Sequence, residues 1–467
     1  MKISSVSLFA LSPLDGRYQK QTNILRPIFS EFALIKFRLK IEIYWLKKLS
    51  SCNEITELLP FNHYIEKSLN NIIYNFNIKD AKRIKSIEKT IKHDVKAIEY
   101  FLIEKIRVRD ISKISNIISF IHFGCTSEDI NNLSYALMLK KARQEVILPT
   151  WSKIINLIKN LAIKYKKIPI LSRTHGQPAT PSTIGKEMAN FSYRLIRQYH
   201  QLKLVKILGK MNGTVGNYNA HRIAYPNINW ILLSKEFVKS LGIHWNPYTT
   251  QIEPHDYMAE FFDCINRFNT ILIDFNRDMW GYIARGIFTP CTISSEIGSS
   301  IMPHKVNPID FEHSEGNLGL ANVIMKHFSA KLPISRWQRD LTDSTVLRNV
   351  GLAIGYSLIA YFALLNGIEK LIINKNYVLK ELNQNWQILT EPIQMVMRRY
   401  GINNAYEKLK KFSRGKYLNA VDIHEFIDLL PLPEKEKIRL KEMLPCSYIG
   451  YAIQLVDELK VLEKMSL

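Results

Sequence analysis

Apolar residues recur along this chain in steps of three and four. From Met258 they fall at Phe261, Phe262, Ile265, Phe268, Leu272, Phe275, Met279 and Ile283, with no Gly or Pro before Gly281. This is the period of one buried helical face, and it predicts a single long amphipathic helix. Residues 127–167 predict another helix, or two, with Ser127 as N-cap and Glu128 in the first turn. Residues 180–208 and 345–372 predict a third and a fourth. The last includes "GLAIGYSLIAYFALLNG", which is apolar almost all round but shorter than the ~20 residues of a membrane span, so it predicts the centre of a bundle. Strand signals are sparse. The pattern predicts an all-α protein whose central segment is an elongated helical bundle. Its helices are too long, and apolar on too many faces, for a lone three-helix unit, which predicts self-association.

Composition narrows the class. Of 467 residues, 46% are hydrophobic and 23% charged, an ordinary globular balance. The formal charge of +22 comes from 64 Lys+Arg against 42 Asp+Glu. The excess is mostly lysine, it accompanies many Ile and Asn, and it is interspersed with acids as on solvated helix faces. It therefore reads as a codon bias, with neither nucleic acid nor membrane as a partner. A small anionic substrate needs only a local cluster of cations. Five scattered cysteines, odd in number and without a C-x-x-C, argue against a disulfide framework or a cysteine zinc site and for a reducing compartment. The N-terminus "MKISSVSLFALSP" lacks a continuous apolar core, so a cytoplasmic protein without a signal peptide is expected.

The candidate chemistry lies where the helical patterns stop. Phosphate-loop, dinucleotide-fold, zinc-protease and serine-hydrolase motifs are all missing from the sequence. "SRTHGQPATP" sets His175 beside a glycine and among hydrogen-bond donors, and imidazole is the natural proton carrier near neutral pH. It could equally be a capping turn with a solvent-exposed histidine. "GSSIMPHKVNP", residues 298–308, carries hydroxyls on a Gly-Ser-Ser turn, followed by Lys305 and Asn307. A serine can take a proton only where cations or N–H groups stabilise its alkoxide, and the same groups would stabilise a carbanion spread onto a carboxylate. An exposed linker would explain the Gly, Ser and Pro but not the Lys and Asn. "SRWQRDLTDSTVLR" supplies Arg336, Arg339 and Arg348 with Ser344 and Thr345, and "DGRY" adds Arg17 and Tyr18. Arginine forks suit phosphate or carboxylate, although surface ion pairing would also account for them. The sum is an enzyme that binds an anionic substrate and moves protons without metal or organic cofactor.

These motifs resemble a known family. "GSSIMPHKVNP" is similar to the G-S-S-x-M-P-x-K-x-N loop of the fumarase/aspartase superfamily, whose members eliminate fumarate from succinyl-type substrates. "TSEDINN", "SRTHGQPATPSTIGKE" and "WQRDLTDSTVLRN" narrow the resemblance to the adenylosuccinate lyase family in its proteobacterial form. It runs from "SPLDGRY" to "YIG" near Tyr448, nearly the whole chain. The resemblance implies three all-α domains, placed here at 1–116, 117–370 and 371–467, and a homotetramer with active sites shared between subunits. It implies Ser299 as base and His175 as acid. Lys305 and Asn307 would hold the dianion. His93, Asp94, Thr126, Ser127 and Gln251 would position the succinyl group and the base. Arg17, Tyr18, Arg339, Ser344 and Arg348 would hold the nucleotide. Lys92, Ser300, Val306 and His313 fall among the substrate-binding positions, as do Thr345, Val346 and Leu347.

The sequence departs from that pattern at three places. Lys92 and His313 stand where close relatives carry Asn, and Ile301 replaces a Thr in the loop. The alternatives are a sister lyase acting on aspartate, malate or argininosuccinate, and a non-enzymatic role. The phosphate-suited "DSTVLR" and "DGRY" argue against the first. Retention of both Ser299 and His175 argues against the second.

Overall fold

A computed structural model of the chain describes residues 8–109, 116–291, 298 and 300–465, with side chains to 459. The long helices form where the apolar period predicts them. The Met258–Ile283 pattern becomes one helix, Asp256–Ala284, of 29 residues. Residues 180–208 give Ile184–Leu204, and 345–372 gives Val350–Glu369. The stretch Thr342–Glu369 is long and apolar enough to cross a membrane, but well over half of its apolar window is buried within the chain, as in the core helix of a bundle.

Residues 127–164 form two α-helices, Ser127–Ala142 and Leu148–Lys164, joined by a π-helical turn at Arg143–Ile147. The cause is Pro149. It has no N–H for the carbonyl four residues back and its ring crowds that carbonyl, so the ladder widens locally. The helix cap differs from the expectation. Ser127 is already the first helical residue and Thr126 is the N-cap, with extended backbone and its N–H donating to Asp129 Oδ2 at 2.8 Å. The T-x-x-D spacing outcompetes Ser127 because it satisfies the cap's own N–H as well.

The chain divides into two compact units. The first comprises Met1–Thr150, Gln201–Asn269 and Asn317–Ile359. In it Glu31–Ser50 packs along Ser127–Ala142 and Asp94–Val108. Trp45 is fully buried, meets the Phe237 ring at 5.0 Å and donates from Nε1 to the Phe123 carbonyl at 2.9 Å. Asn269 Nδ2 donates to Asn322 Oδ1 and to Ser357 Oγ, both at 3.0 Å, so three buried polar groups fix the register of three helices.

The second unit comprises Trp151–His200, Thr270–Gly316 and Ala360–Leu467. Phe191 and Phe275 pack edge to face at 5.3 Å, and Asn276 Nδ2 donates to Ser314 Oγ at 2.9 Å. Ile393, Met397, Leu409, Ile423, Ile427 and Leu440, from four short helices, form a C-terminal core. Strands are few and short. The second unit holds the antiparallel pairs Pro169–Ile170 with Ser182–Thr183, Arg173–Thr174 with Gln177–Pro178, and Phe288–Pro290 with Leu371–Ile373.

Candidate active site

Within the first unit, charged side chains on separate helices form one connected network. His93 is the N-cap of Asp94–Val108, and its Nδ1 accepts the Lys96 N–H at 3.2 Å, so the ring proton sits on Nε2 when the imidazole is neutral. The next residue, Asp94, accepts from Arg38 Nη2 at 2.9 Å and from Arg348 Nη2 at 3.3 Å. Arg348 also reaches Glu31 at 3.2 Å. Burial alone would push the Asp94 carboxyl up. Arg38, the Val95 N–H and Arg348 outweigh it and hold the group below the usual carboxylate range.

Arg38 carries the network onward. Its Nε donates to Asn131 Oδ1 at 2.8 Å, and Asn131 Nδ2 donates to Glu128 Oε1 at 2.7 Å. Glu128 pairs with Arg339 at 2.9 Å, and Arg339 Nη1 donates to Gln251 Oε1 at 3.1 Å. Gln251 Nε2 in turn donates to the Thr214 carbonyl at 3.1 Å. Thus Asp94, Gln251, Arg339 and Arg348, far apart in sequence, meet through Arg38, Asn131 and Glu128. Beside Glu128 in the chain, Asp129 forms a buried ion pair: Lys210 Nζ and Asp129 Oδ1 are 3.0 Å apart, and both side chains are fully buried. Asp129 also accepts backbone N–H groups from Thr126, Asn212 and Gly213, which ties the capping turn of Ser127–Ala142 to the 210–216 loop.

Arg38 escapes a reading based on polar loops, because it lies on a helix among apolar neighbours, whereas Glu128, Asp129 and Asn131 lie in the polar "TSEDINN" and Lys210 borders a polar loop, with nothing in either segment to mark their partners. A signal was present. Arg38 and Glu42 stand four apart inside the apolar stripe of "FALIKFRLKIEIYW", and charge on a buried face requires partners. Glu42 is paired with His122, Oε1 to Nδ1 at 2.7 Å.

The remaining first-unit candidates are placed separately. Arg17 is exposed, with its guanidinium 5.8 Å from the Tyr18 ring centre. Lys92 ends the Ile78–Ile91 helix at φ 56°, a left-handed conformation that suits Gly or Asn better than Lys. Ser344, Thr345 and Val346 lie on the short Thr342–Leu347 helix, whereas Leu347 is buried in the core.

In the second unit, residues 169–183 form an antiparallel finger with His175 and Gly176 as its two-residue tip. Both have positive φ, 52° and 74°, as the mirror-image hairpin turn requires. His175 is exposed there, and Arg173 steadies the turn by donating to the Gly176 carbonyl at 3.2 Å and pairing with Glu381 at 2.7 Å.

The 298–308 loop belongs to the same unit. Asn307 Nδ2 donates to the Gly298 carbonyl at 2.6 Å, closing the loop across its base, and the Lys305 N–H donates to the Met302 carbonyl at 3.1 Å. Gly298 is needed for a steric reason: a methyl group there would overlap the Lys305 carbonyl oxygen and lie 3.0 Å from its carbon. Ser300, Ile301 and Lys305 are exposed, and Val306 is exposed too. Ser299 lies outside the described residues. His313 is exposed at the start of the second turn of the Ile309–Lys331 helix.

Comparison with known proteins identifies the family. Residues 16–325 match a lyase family model, and residues 335–449 match the adenylosuccinate lyase C-terminal model. The chain is 63% identical to an adenylosuccinate lyase of Haemophilus influenzae and 62% to one of Escherichia coli, each over 97% of this chain and 99% of the relative. A Buchnera aphidicola adenylosuccinate lyase is 60% identical over the same shares. Among solved structures, a 3-carboxy-cis,cis-muconate lactonizing enzyme from Pseudomonas putida has a TM-score of 0.75 at 19% identity, covering 95% of this chain and 97% of that one. A fumarate lyase from a Mesorhizobium species has a TM-score of 0.74 at 14% identity, covering 94% and 97%. These two speak for the fold. With the whole-length identities, the chain belongs to the adenylosuccinate lyase family of the fumarase/aspartase superfamily.

Proposed function

We propose that this chain is a carbon–nitrogen lyase that releases fumarate from adenylosuccinate, leaving AMP, and from the succinylated aminoimidazole-carboxamide ribotide, leaving its carboxamide. The observation that carries the reading is identity above 60% to adenylosuccinate lyases over nearly the whole chain. Ser299 removes the proton from the succinyl carbon beside a carboxylate. The electron pair spreads onto that carboxylate, next to Lys305 and Asn307. It then forms the double bond of fumarate while the C–N pair leaves on nitrogen, which His175 protonates.

A hairpin tip suits the acid, because it presents the imidazole at the end of a short rigid ladder. The ion-paired Asp94 and Arg339, with Gln251 hydrogen-bonded to Arg339, orient the succinyl and purine parts, and Arg348 exchanges its carboxylate partners for the nucleotide phosphate. His313 can still donate one hydrogen bond where an amide side chain would donate from its nitrogen. The proposal includes three domains with boundaries near 116 and 370, a cytoplasmic homotetramer, and sites assembled from several subunits.

Fumarate appearance with pure protein on both succinylated substrates tests the activity. Mixed tetramers of Ser299→Ala and His175→Ala test the sharing: recovery of activity supports it, and confirmed mixed tetramers without recovery would count against it.

A further inference from the structure

Helix Glu31–Ser50 has two functional faces. At 100° per residue, Glu31, Arg38 and Glu42 project to one side, where Glu31 and Arg38 join the ion-pair network and Glu42 pairs with His122. Phe32, Lys36, Lys40 and Tyr44 follow each other at intervals of four on the opposite side. That second face lines a separate cavity of about 370 Å³ in the first unit, completed by Asn70, Tyr74 and Lys141. Its volume lies within the range of small-molecule sites.

The cavity combines two features that a folded chain avoids without a reason. The first is like charge that is barely compensated. Among the described residues Lys36 and Lys40 have no carboxylate partner, and Lys141 has a loose pair with Glu145 at 3.9 Å. Lys140, next along the chain, spends its ammonium on the Leu241 carbonyl at 3.1 Å. The Lys40 ammonium is held below its usual range, first by burial and then by repulsion from Lys141, Lys140 and Lys36. Three ammonium groups around one concavity attract an anion and discourage a cation. The second feature is aromatic lining: Phe32, Tyr44 and Tyr74 share the wall with these lysines, and Lys40 lies 5.2 Å from the Tyr44 ring centre. Tyr74 is 76% exposed, so it offers an open ring face. An inorganic anion would satisfy the lysines but leave the rings idle, whereas a flat ring carrying phosphate uses both.

We propose that this cavity is a second ligand site, distinct from the ion-pair network, which takes a nucleotide-like aromatic phosphate, its phosphates on Lys36, Lys40 and Lys141 and its ring against the aromatic wall. It does not depend on the reading of the catalytic reaction.

The test is calorimetric titration of the full-length protein with ATP, with tripolyphosphate and adenosine as half-ligands. ATP should bind more tightly than either half, and the affinity should fall with added salt. The K36Q/K40Q/K141Q variant should weaken ATP by about tenfold per ammonium removed, with turnover and melting temperature retained. Tyr74→Ala should weaken ATP but not tripolyphosphate. Arg348→Ala, in the ion-pair network, should leave this binding in place. No ATP binding by the wild-type protein would overturn the proposal. So would equal binding by the triple variant, or loss of all binding in Arg348→Ala, since the site would then be the one already described.

Discussion

Gly298→Ala isolates the 298–308 loop from the rest of the fold. The added methyl would overlap the Lys305 carbonyl oxygen and stand 3.0 Å from the carbonyl carbon and 3.3 Å from Val306 Cα. Ordinary carbon–carbon contacts lie at about 3.5–4.0 Å, and the overlap with the oxygen is deeper still, so the two sides of the loop must part by about 1 Å or more. The obstacles are backbone atoms, and no rotamer change relieves them. The displacement acts on the hydrogen bond from Asn307 Nδ2 to the Gly298 carbonyl and on Lys305, and Gly298 directly precedes the proposed base. Misplacement of a catalytic group by about 1 Å costs about 10²-fold in rate, or about 2.7 kcal/mol of barrier. Stability should hardly change, because the loop is exposed and one neutral hydrogen bond is worth about 1 kcal/mol. The assay is fumarate appearance at saturating substrate beside a thermal melt. The expected result is kcat down about 10²-fold with a melting temperature within about 2 °C of wild type. Turnover within about twofold of wild type, less than 0.5 kcal/mol of barrier, would refute the steric argument.

Three further outcomes are expected. Lys92→Gly should raise the urea midpoint, adding about 0.5–1 kcal/mol, because it relieves a lysine held at φ 56°. Lys210→Met should cost about 3–5 kcal/mol in the same assay, since it strands the fully buried Asp129 carboxylate. Asp94 has a folded-state pKa below its unfolded one, so its contribution to stability is fully present above the unfolded value and is lost as pH falls through the folded one. Denaturation of Asp94→Asn between neutral pH and the acid range should therefore show a shallower loss of stability than wild type, and an equal slope would contradict the pairing with Arg38 and Arg348.

How much of this was legible in the sequence depended on the kind of signal. The Met258–Ile283 helix was plain because its apolar period continues for more than seven turns. The break at Arg143–Ile147 was missed as such, although Pro149 marks it, because the apolar pattern passes through unaltered. His175 was visible as chemistry, but its place on a hairpin tip was not. A ladder of two-residue strands has no alternation to read, and only the His-Gly pair hinted at a turn with two positive φ values. Gly298 and Asn307 were visible as residue types, while the bond between them depends on backbone proximity across the loop. The network around Asp94 was half visible. Its loop members, and Glu128 and Asn131 in "TSEDINN", stood out as polar clusters, but Arg38, which joins them to Asp94, was masked by apolar neighbours.

The central claim is the reaction itself. Purified protein mixed separately with adenylosuccinate and with aspartate, with fumarate followed directly, tests it in one step. The account predicts rapid fumarate release from adenylosuccinate with an equal amount of AMP, and none from aspartate. Fumarate from aspartate with none from adenylosuccinate would contradict it.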